Sequence, residues 1–207
     1  MKRIITSALI LCGLYMTMSA QGSSALEQLC AKMKGAATIM NYNYALTVSG
    51  MKNLGNGVLT TQDNMYCMQG NGIKIYCNAS TLWVVDEGGK EVMIDSVSQE
   101  ADSYLSNPAL LLTNVTSVFT ISSPVANGTK LTYKLSPKAE VGIKSGTIVL
   151  DTAGSLPVFV SALFQLTDGS NLDVKIKSMT LTEKKPLTFY TLNLSGFDSS
   201  WMITDLR

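Results

Sequence analysis

The feature that most limits what this chain can become is a period of two in its apolar residues, repeated over much of its length. Tyr42, Tyr44, Leu46 and Val48 alternate with Asn41, Asn43, Thr47 and Ser49, and Ala45 is a small exception on the polar side. Successive strand side chains point to opposite faces, so this alternation describes a long strand with one wet face and one dry face. Leu172, Val174 and Ile176 alternate in the same way with Asp173, Lys175 and Lys177. Further strands are expected over 58–61, 65–69, 72–77, 81–86, 91–94, 130–135 and 142–151, with turns at Gly55-Asn56-Gly57, Asn71-Gly72 and Glu87-Gly88-Gly89. The run from Val158 to Leu166 carries apolar residues of both parities, Phe159 and Leu163 among them, which predicts a strand covered on both sides.

Two segments depart from this period. Ser24-Ala25-Leu26-Glu27 fits a capping box, and Leu26, Leu29, Cys30 and Met33 then fall at helical spacing before Gly35, so a short amphipathic helix is expected to start at Ser24. Asn107-Pro108 ahead of Ala109-Leu110-Leu111-Leu112 places a capping residue before a proline at the first helical position, which predicts a second, very apolar helix. The stretch from Val115 to Val125 reads as a loop. The expected class is α+β and mainly β, a strongly curved antiparallel sheet of about ten strands. Periodicity leaves sandwich and barrel open, while two apolar helices favour a sheet whose concave side they close.

Lys2 and Arg3, an apolar run from Ile4 to Tyr15 and Met18-Ser19-Ala20 form the layout of a secretory signal over residues 1–20, to be cut after Ala20. The apolar run is shorter than the roughly 20 residues of a membrane-spanning helix. Leu9-Ile10-Leu11 before Cys12 is a poor lipidation signal, so a soluble exported protein is expected, with 21–207 as a single domain and a monomer. That remainder holds 14 basic against 15 acidic residues, a net charge of −1, and its one arginine is Arg207. Such a balance provides no basic field for nucleic acid or anionic lipid.

Cys30, Cys67 and Cys77 lie beyond the signal. Oxidising compartments preserve disulfides, and Cys67 and Cys77 flank the Asn71-Gly72 turn, so a cross-strand disulfide between them is one expectation and two buried thiols the other. Cys30 is expected to stay free and packed. The chain contains no histidine. That removes serine–histidine and cysteine–histidine nucleophiles, histidine-ligated zinc and the commonest general base. The carboxylates of Asp86, Glu87, Glu91, Asp95, Glu100 and Asp102 fall in expected turns and edges, and no segment has the oxygen-ligand spacing of a calcium loop. Neither an enzyme, a cofactor nor a metal site is expected. Four Asn-x-Ser/Thr matches, at Asn78, Asn114, Asn127 and Asn193, are of the kind a Ser/Thr/Asn-rich chain contains by chance.

Several segments, in order, resemble the outer-membrane lipoprotein carriers of the LolA/LolB type. Gly55-Asn56-Gly57-Val58-Leu59 is similar to that family's second-strand opening, and Asn64-Met65-Tyr66-Cys67-Met68 to the asparagine-aromatic run on the next strand. Asn78-Ala79-Ser80-Thr81-Leu82-Trp83-Val84-Val85-Asp86 resembles its Thr-Leu-Trp hairpin. Pro108-Ala109-Leu110-Leu111-Leu112 resembles the mid-chain helix, Tyr133-Lys134-Leu135-Ser136-Pro137-Lys138 the strand after it, and Ile203-Thr204-Asp205-Leu206-Arg207 the family's close. The resemblance implies an incomplete barrel with a helical lid over an apolar cavity, a periplasmic location and a carrier that binds lipoprotein acyl chains. An inner-membrane transporter and an outer-membrane receptor are the implied partners; an envelope module binding another lipid is the alternative. The implied lining is Tyr42, Tyr44, Leu46, Leu59, Tyr66, Met68, Ile75 and Trp83, with Met51, Met65 and Met93 as added flexible surface. Leu110, Leu111 and Leu112 would form the lid with Leu26 and Leu29. One departure stands out: carriers of the family bear an Arg-Pro pair whose arginine helps fasten the lid, and the matching positions here are Gln62 and Asp63.

Overall fold

The computed structural model describes residues 18–97, 111–112 and 114–207, with side chains from residue 25. Helix α1 (Met18–Lys34) leads into β1 (Ala37–Val48), β2 (Met51–Gln62), β3 (Met65–Gly70), β4 (Ile73–Cys77), β5 (Thr81–Asp86) and β6 (Glu91–Ser96). Leu111 and Leu112 are helical, and the short α2 (Val115–Val118) follows. The second half contains β7 (Phe119–Ile121), β8 (Val125–Asn127), β9 (Lys130–Pro137), β10 (Ile143–Asp151), β11 (Val158–Leu166), β12 (Asn171–Thr182) and β13 (Met202–Asp205).

All 13 strands among the described residues belong to one sheet, ordered β13-β6-β5-β4-β3-β2-β1-β12-β11-β10-β9-β7, with β8 pairing β9. The meander of the first half and that of the second half join where β1 meets β12, an antiparallel pairing running from Ala37 with Thr182 to Thr47 with Asn171. β13 is parallel to β6. The end strands β13 and β7 do not pair with each other, so the curved sheet is an unclosed barrel.

Several expectations are corrected. The β1–β2 turn is made by Ser49 and Gly50, both at positive φ (49° and 81°), and Gly55-Asn56-Gly57 continues inside β2. The glycines serve space rather than turning: Gly55 stands opposite Tyr44 and Gly57 opposite Tyr42. A Cβ at Gly55 would run into the Tyr44 ring, and one at Gly57 would lie 2.8 Å from Tyr42 Oη. The expected loop at 115–125 contains α2, β7 and the start of β8. Ser24 does not start the helix: α1 runs from Met18 and Ser24 lies in its second turn.

β11 is not covered on both sides, since Leu163 is 50% exposed. Its mixed parity comes from a bulge: Val149 pairs Ser161 while Leu150 pairs Phe159, so Val160 is an extra residue that returns Phe159 to the face of Ala162 and Phe164. β12 repeats the device. Asn41 pairs Ser178 and Tyr42 pairs Ile176, and the extra Lys177 lets Ile176 and Met179 serve one face.

The Cys67–Cys77 disulfide is also corrected. Cys77 is opposite Tyr66 and Cys67 opposite Tyr76, so the two sulfurs lie on opposite faces of the hairpin and no disulfide joins them. Cys30 is packed as expected, its thiol 3.8 Å from the Leu112 carbonyl oxygen that accepts from it.

The inner face carries most of the core. Leu26, Leu29, Cys30 and Met33 of α1 bury against Tyr133, Leu135, Ile148, Leu150, Phe159 and Phe164 of β9–β11. Met40, Leu59, Tyr66 and Cys77 form a second inner cluster. Leu112, Ile176 and Met179 pack against both. On the outer face, Trp83, Val85, Val92 and Ile94 are covered by Leu192, Phe197 and Trp201 of the C-terminal segment.

Candidate functional site: an apolar cavity inside the curved sheet

Between the two inner clusters the sheet leaves a cavity of about 640 Å³. Its walls come from both halves of the chain: Met40, Tyr42, Tyr44, Leu59, Tyr66, Met68 and Ile75 on one side, and Ile148, Phe159, Ala162, Phe164, Leu172, Val174 and Ile176 on the other. Leu111 and Leu112 border it beside Val115 and Phe119. The walls are apolar because strand parity places them there. Tyr42 and Tyr44 pair with Ile176 and Val174, so cross-strand partners share the inner face while Lys175 and Asp173 point away.

The cavity has a closed end and an open one. Tyr66, Met40, Leu59, Val115, Phe119 and Leu135 are buried at the closed end. At the open end Asn56 and Asn71 are exposed and Tyr44 half-buried. Asn71 Nδ2 donates to Tyr44 Oη at 3.2 Å. Asn71 and Gly72 take the positive φ values of a tight hairpin turn, 52° and 80°, which brings the amide over the glycine gap at Gly55. The Tyr42 and Tyr44 rings lie 6.3 Å apart at 35° along the wall. Burial pushes the Tyr42 phenol above its ordinary pKa and does the same more strongly to Tyr66, so both are neutral hydroxyls at physiological pH. Burial likewise raises the Cys30 thiol to about 11, which keeps it an unreactive packing group. Among the described residues, none that lines the cavity is a carboxylate, thiol or amine, and no three metal-ligating side chains come together.

Six of the eight lining residues read from the sequence border the cavity: Tyr42, Tyr44, Leu59, Tyr66, Met68 and Ile75. Leu46 shares their face but lies beyond the cavity near the end of β1, opposite Leu172. Trp83 is a correction. It stands on the outer face with Val85 and Ile94, because β5 pairs Trp83 with Tyr76, whose neighbour Ile75 points inward. Of the lid residues, Leu111 and Leu112 border the cavity, Leu110 lies outside the described residues, and Leu26 and Leu29 are buried in the core that plugs one end. Met68 borders the cavity, whereas Met51 and Met93 are exposed elsewhere. Sequence reasoning missed the β10–β12 wall. Its signal, Leu172-x-Val174-x-Ile176, was visible as a dry face, but only the pairing with β1 turns that face toward Tyr42.

Gln62 and Asp63 have partners far from the cavity. Gln62, buried on β2, accepts from Lys185 N at 2.7 Å through Oε1 and donates to Lys185 O at 3.2 Å through Nε2. Asp63 forms an ion pair with Lys184 at 2.9 Å. The two positions therefore hold the C-terminal segment where it crosses the outer face. Beyond them Tyr190 is fully buried, and burial raises its phenol to about 12.

Among the described residues no helix is long and apolar enough to cross a membrane. No protein-family model and no curated protein matches the sequence. Among solved structures, the chain is similar to an uncharacterized conserved protein from Thermus thermophilus, with a TM-score of 0.55 and 7% identity over 89% of this chain and 99% of that one. It is also similar to a DUF1329 family protein from Desulfovibrio piger, with a TM-score of 0.48 and 10% identity over 87% and 99% of the two chains. A LolA superfamily protein from Nitrosomonas europaea gives a TM-score of 0.45 and 12% identity over 83% and 97%. At the identity of the Thermus protein the likeness is one of fold, and it runs through nearly the whole of both chains.

Proposed function

We propose that this protein is an exported carrier of the cell envelope that takes up the acyl chain of a lipid or lipid-modified protein and shelters it across the periplasm. The observation that carries this reading is the uncharged cavity of about 640 Å³ bordered by Leu111 and Leu112. Burying each methylene is worth about 0.8 kcal/mol, so a long chain cannot cross water unprotected. Release must remain feasible, and helical leucines at the border of the cavity would compete with the cargo for its apolar wall and keep retention moderate. The signal-like N-terminus and the segmental resemblance to outer-membrane lipoprotein carriers support the same reading, including delivery toward the outer membrane through an inner-membrane donor and an outer-membrane receptor.

Gln62 and Asp63 favour a second reading, an envelope lipid-binding or sensing module without lipoprotein delivery. Their partners are Lys185 and Lys184, so the residues at the positions of the carriers' lid-fastening pair secure the C-terminal segment. Binding is tested by titrating the purified protein with the neutral apolar dye N-phenyl-1-naphthylamine. The wild type should enhance its fluorescence saturably, and Leu112→Glu should weaken binding by at least about tenfold, because a carboxylate is costly against hydrocarbon. Undiminished binding by Leu112→Glu, with the wild-type melting temperature, would overturn the assignment of the cavity. Co-purification of a lipoprotein would favour delivery, and a free lipid the second reading.

A further inference from the structure

The outer face of the sheet holds a second, smaller cleft of about 190 Å³, where the C-terminal segment crosses β4 and β5. Lys74 and Tyr76 stand two residues apart on β4 and share its outer face, since Ile75 between them borders the inner cavity. Val85, opposite Lys74 on β5, is buried and forms the floor. Glu87 follows β5; its backbone nitrogen donates to Gly72 O at 3.1 Å, and its carboxylate meets Lys74 Nζ at 2.7 Å. Phe197 and Trp201 close the far side. Their turn is set by its own hydrogen bonds, Phe197 N to Leu194 O and Trp201 N to Asp198 O, and Lys90 Nζ donates to Ser200 Oγ beside it.

This combination of side chains selects a type of ligand. Tyr76, Phe197 and Trp201 are half-buried where they border the cleft. Phe197 and Trp201 meet edge to face at 4.7 Å, an arrangement that leaves each ring a face the other does not cover. The two charged groups, Lys74 and Glu87, already neutralise one another. A cation entering the cleft would have to take Glu87 from Lys74, and an anion Lys74 from Glu87, each for the exchange of one ion pair against another after desolvation. A purely aliphatic ligand would set hydrocarbon against both charges. Hydroxyl groups avoid these costs, because one hydroxyl both donates and accepts, so two neighbouring ones bridge an ammonium and a carboxylate without parting them. The ligand that fits is therefore neutral, with an apolar face for the rings and adjacent hydroxyls at its rim. A pyranose sugar has that form, its axial C–H groups making the apolar face. The cleft volume corresponds to about six waters at roughly 30 Å³ each, enough for a six-membered ring to enter with its substituents reaching the open side.

We propose that the outer-face cleft is a carbohydrate subsite that takes one neutral pyranose unit of a glycan, its C–H face on the aromatic rings and two adjacent hydroxyls on Lys74 and Glu87. The subsite and the apolar cavity lie on opposite faces of the sheet, so both can be filled at once, and the inference does not depend on what the cavity binds.

The chain has two tryptophans, Trp83 and Trp201, and their indole N–H signals in proton–nitrogen correlation spectra report on the cleft separately; the signal lost in Trp201→Phe is that of Trp201. The full-length protein is titrated with cellotriose, maltotriose and triacetylchitotriose, and with choline chloride and glycerol as controls. A single half-open subsite binds weakly, so the Trp201 signal is expected to shift saturably with a dissociation constant of about 1 mM for at least one trisaccharide. The tightest of the three identifies the sugar. Lys74→Met removes a charged hydrogen-bond donor and should weaken binding about tenfold. It should leave the melting temperature unchanged, because an exposed ion pair contributes little to stability. Tyr76→Phe, which keeps the ring, should bind within about threefold of the wild type, and Tyr76→Ala at least about tenfold more weakly. No saturable shift by any trisaccharide up to about 20 mM would overturn the proposal. So would an equal shift by glycerol, or undiminished binding in Lys74→Met. A shift of Trp201 by choline where no sugar moves it would also overturn it and make the cleft a cation site.

Discussion

Gly55 and Gly57 show how one missing atom shapes the site. Both lie within β2, where glycine ordinarily weakens a strand, and both leave room for a tyrosine of β1. At Gly57 an added Cβ would meet the Gln69 backbone oxygen as well as Tyr42 Oη, so the rigid strand as well as the ring opposes it. Gly57→Ala should therefore cost about 1–3 kcal/mol. Thermal denaturation would show this as a fall of roughly 2–4 °C per kcal/mol. Apolar-dye affinity should drop at the same time, because Tyr42 would have to leave the wall. At Gly55 the obstruction is side-chain atoms alone, Tyr44 and Asn71, which can move, so Gly55→Ala should disturb the mouth more than the melting temperature.

At the scale of elements, the C-terminal segment is held by a small number of polar contacts and one aromatic cluster. Phe197 and Trp201 meet edge to face at 4.7 Å over the outer side of β4–β6, and Met202 N donates to Lys90 O as β13 joins β6. Upstream, Gln62 makes both hydrogen bonds to Lys185. Replacing it by alanine would leave a part-buried donor and acceptor unsatisfied, at a cost of about 1–3 kcal/mol. Gln62→Ala is expected to accelerate amide exchange over 184–206 in hydrogen-exchange mass spectrometry while leaving dye affinity unchanged, since Gln62 and the cavity are on opposite faces of β2. Loss of dye affinity in that variant would mean that the segment supports the cavity directly. The bulges of β11 and β12 belong to this scale too. Each inserts one residue, Val160 or Lys177, and so moves a large apolar side chain onto the inner face that simple alternation would have left outside.

For the whole molecule, the sheet is open between β13 and β7, and its inner side is filled by protein at one end and vacant at the other. In the first half Asp86 serves a turn, its Oδ1 accepting from Gly88 N and Gly89 N at 2.9 and 3.0 Å. Global stability should instead respond to alkali. Burial raises the folded-state values of Cys30, Cys67, Cys77 and Tyr42, with Cys30 at about 11 against an ordinary 9.0. Above the ordinary value the unfolded chain binds fewer protons than the folded one, so stability falls as pH rises. Urea midpoints should be level up to about pH 8.5 and decline from pH 9 toward 11, and Cys30→Ala should soften that decline. A midpoint independent of pH across this range would show that these groups are not buried as described.

Alternation by itself determined most of the strands and their dry faces, because the orientation of a strand side chain is a local property with a period of two, and the likeness to lipoprotein carriers then pointed to six of the cavity residues on those faces. The Asn71-Gly72 turn and the apolar stripe of α1 were legible for the same reason, being set by dihedral preference and helical spacing over a few residues. The segmental likeness to lipoprotein carriers pointed to an incomplete barrel before any pairing was known. Tertiary structure decided the rest. Which way Trp83 faces depends on the register of β5 against β4, and whether Cys67 can reach Cys77 depends on a shift of one residue across a hairpin. That Gly55 and Gly57 are clearances for tyrosine rings, and that Gln62 and Asp63 grip Lys185 and Lys184, are contacts between residues distant in the chain or across strands. The vacancy itself is of this kind: β1 must lie beside β12 before two dry faces, more than a hundred residues apart in sequence, can enclose a space that neither of them fills.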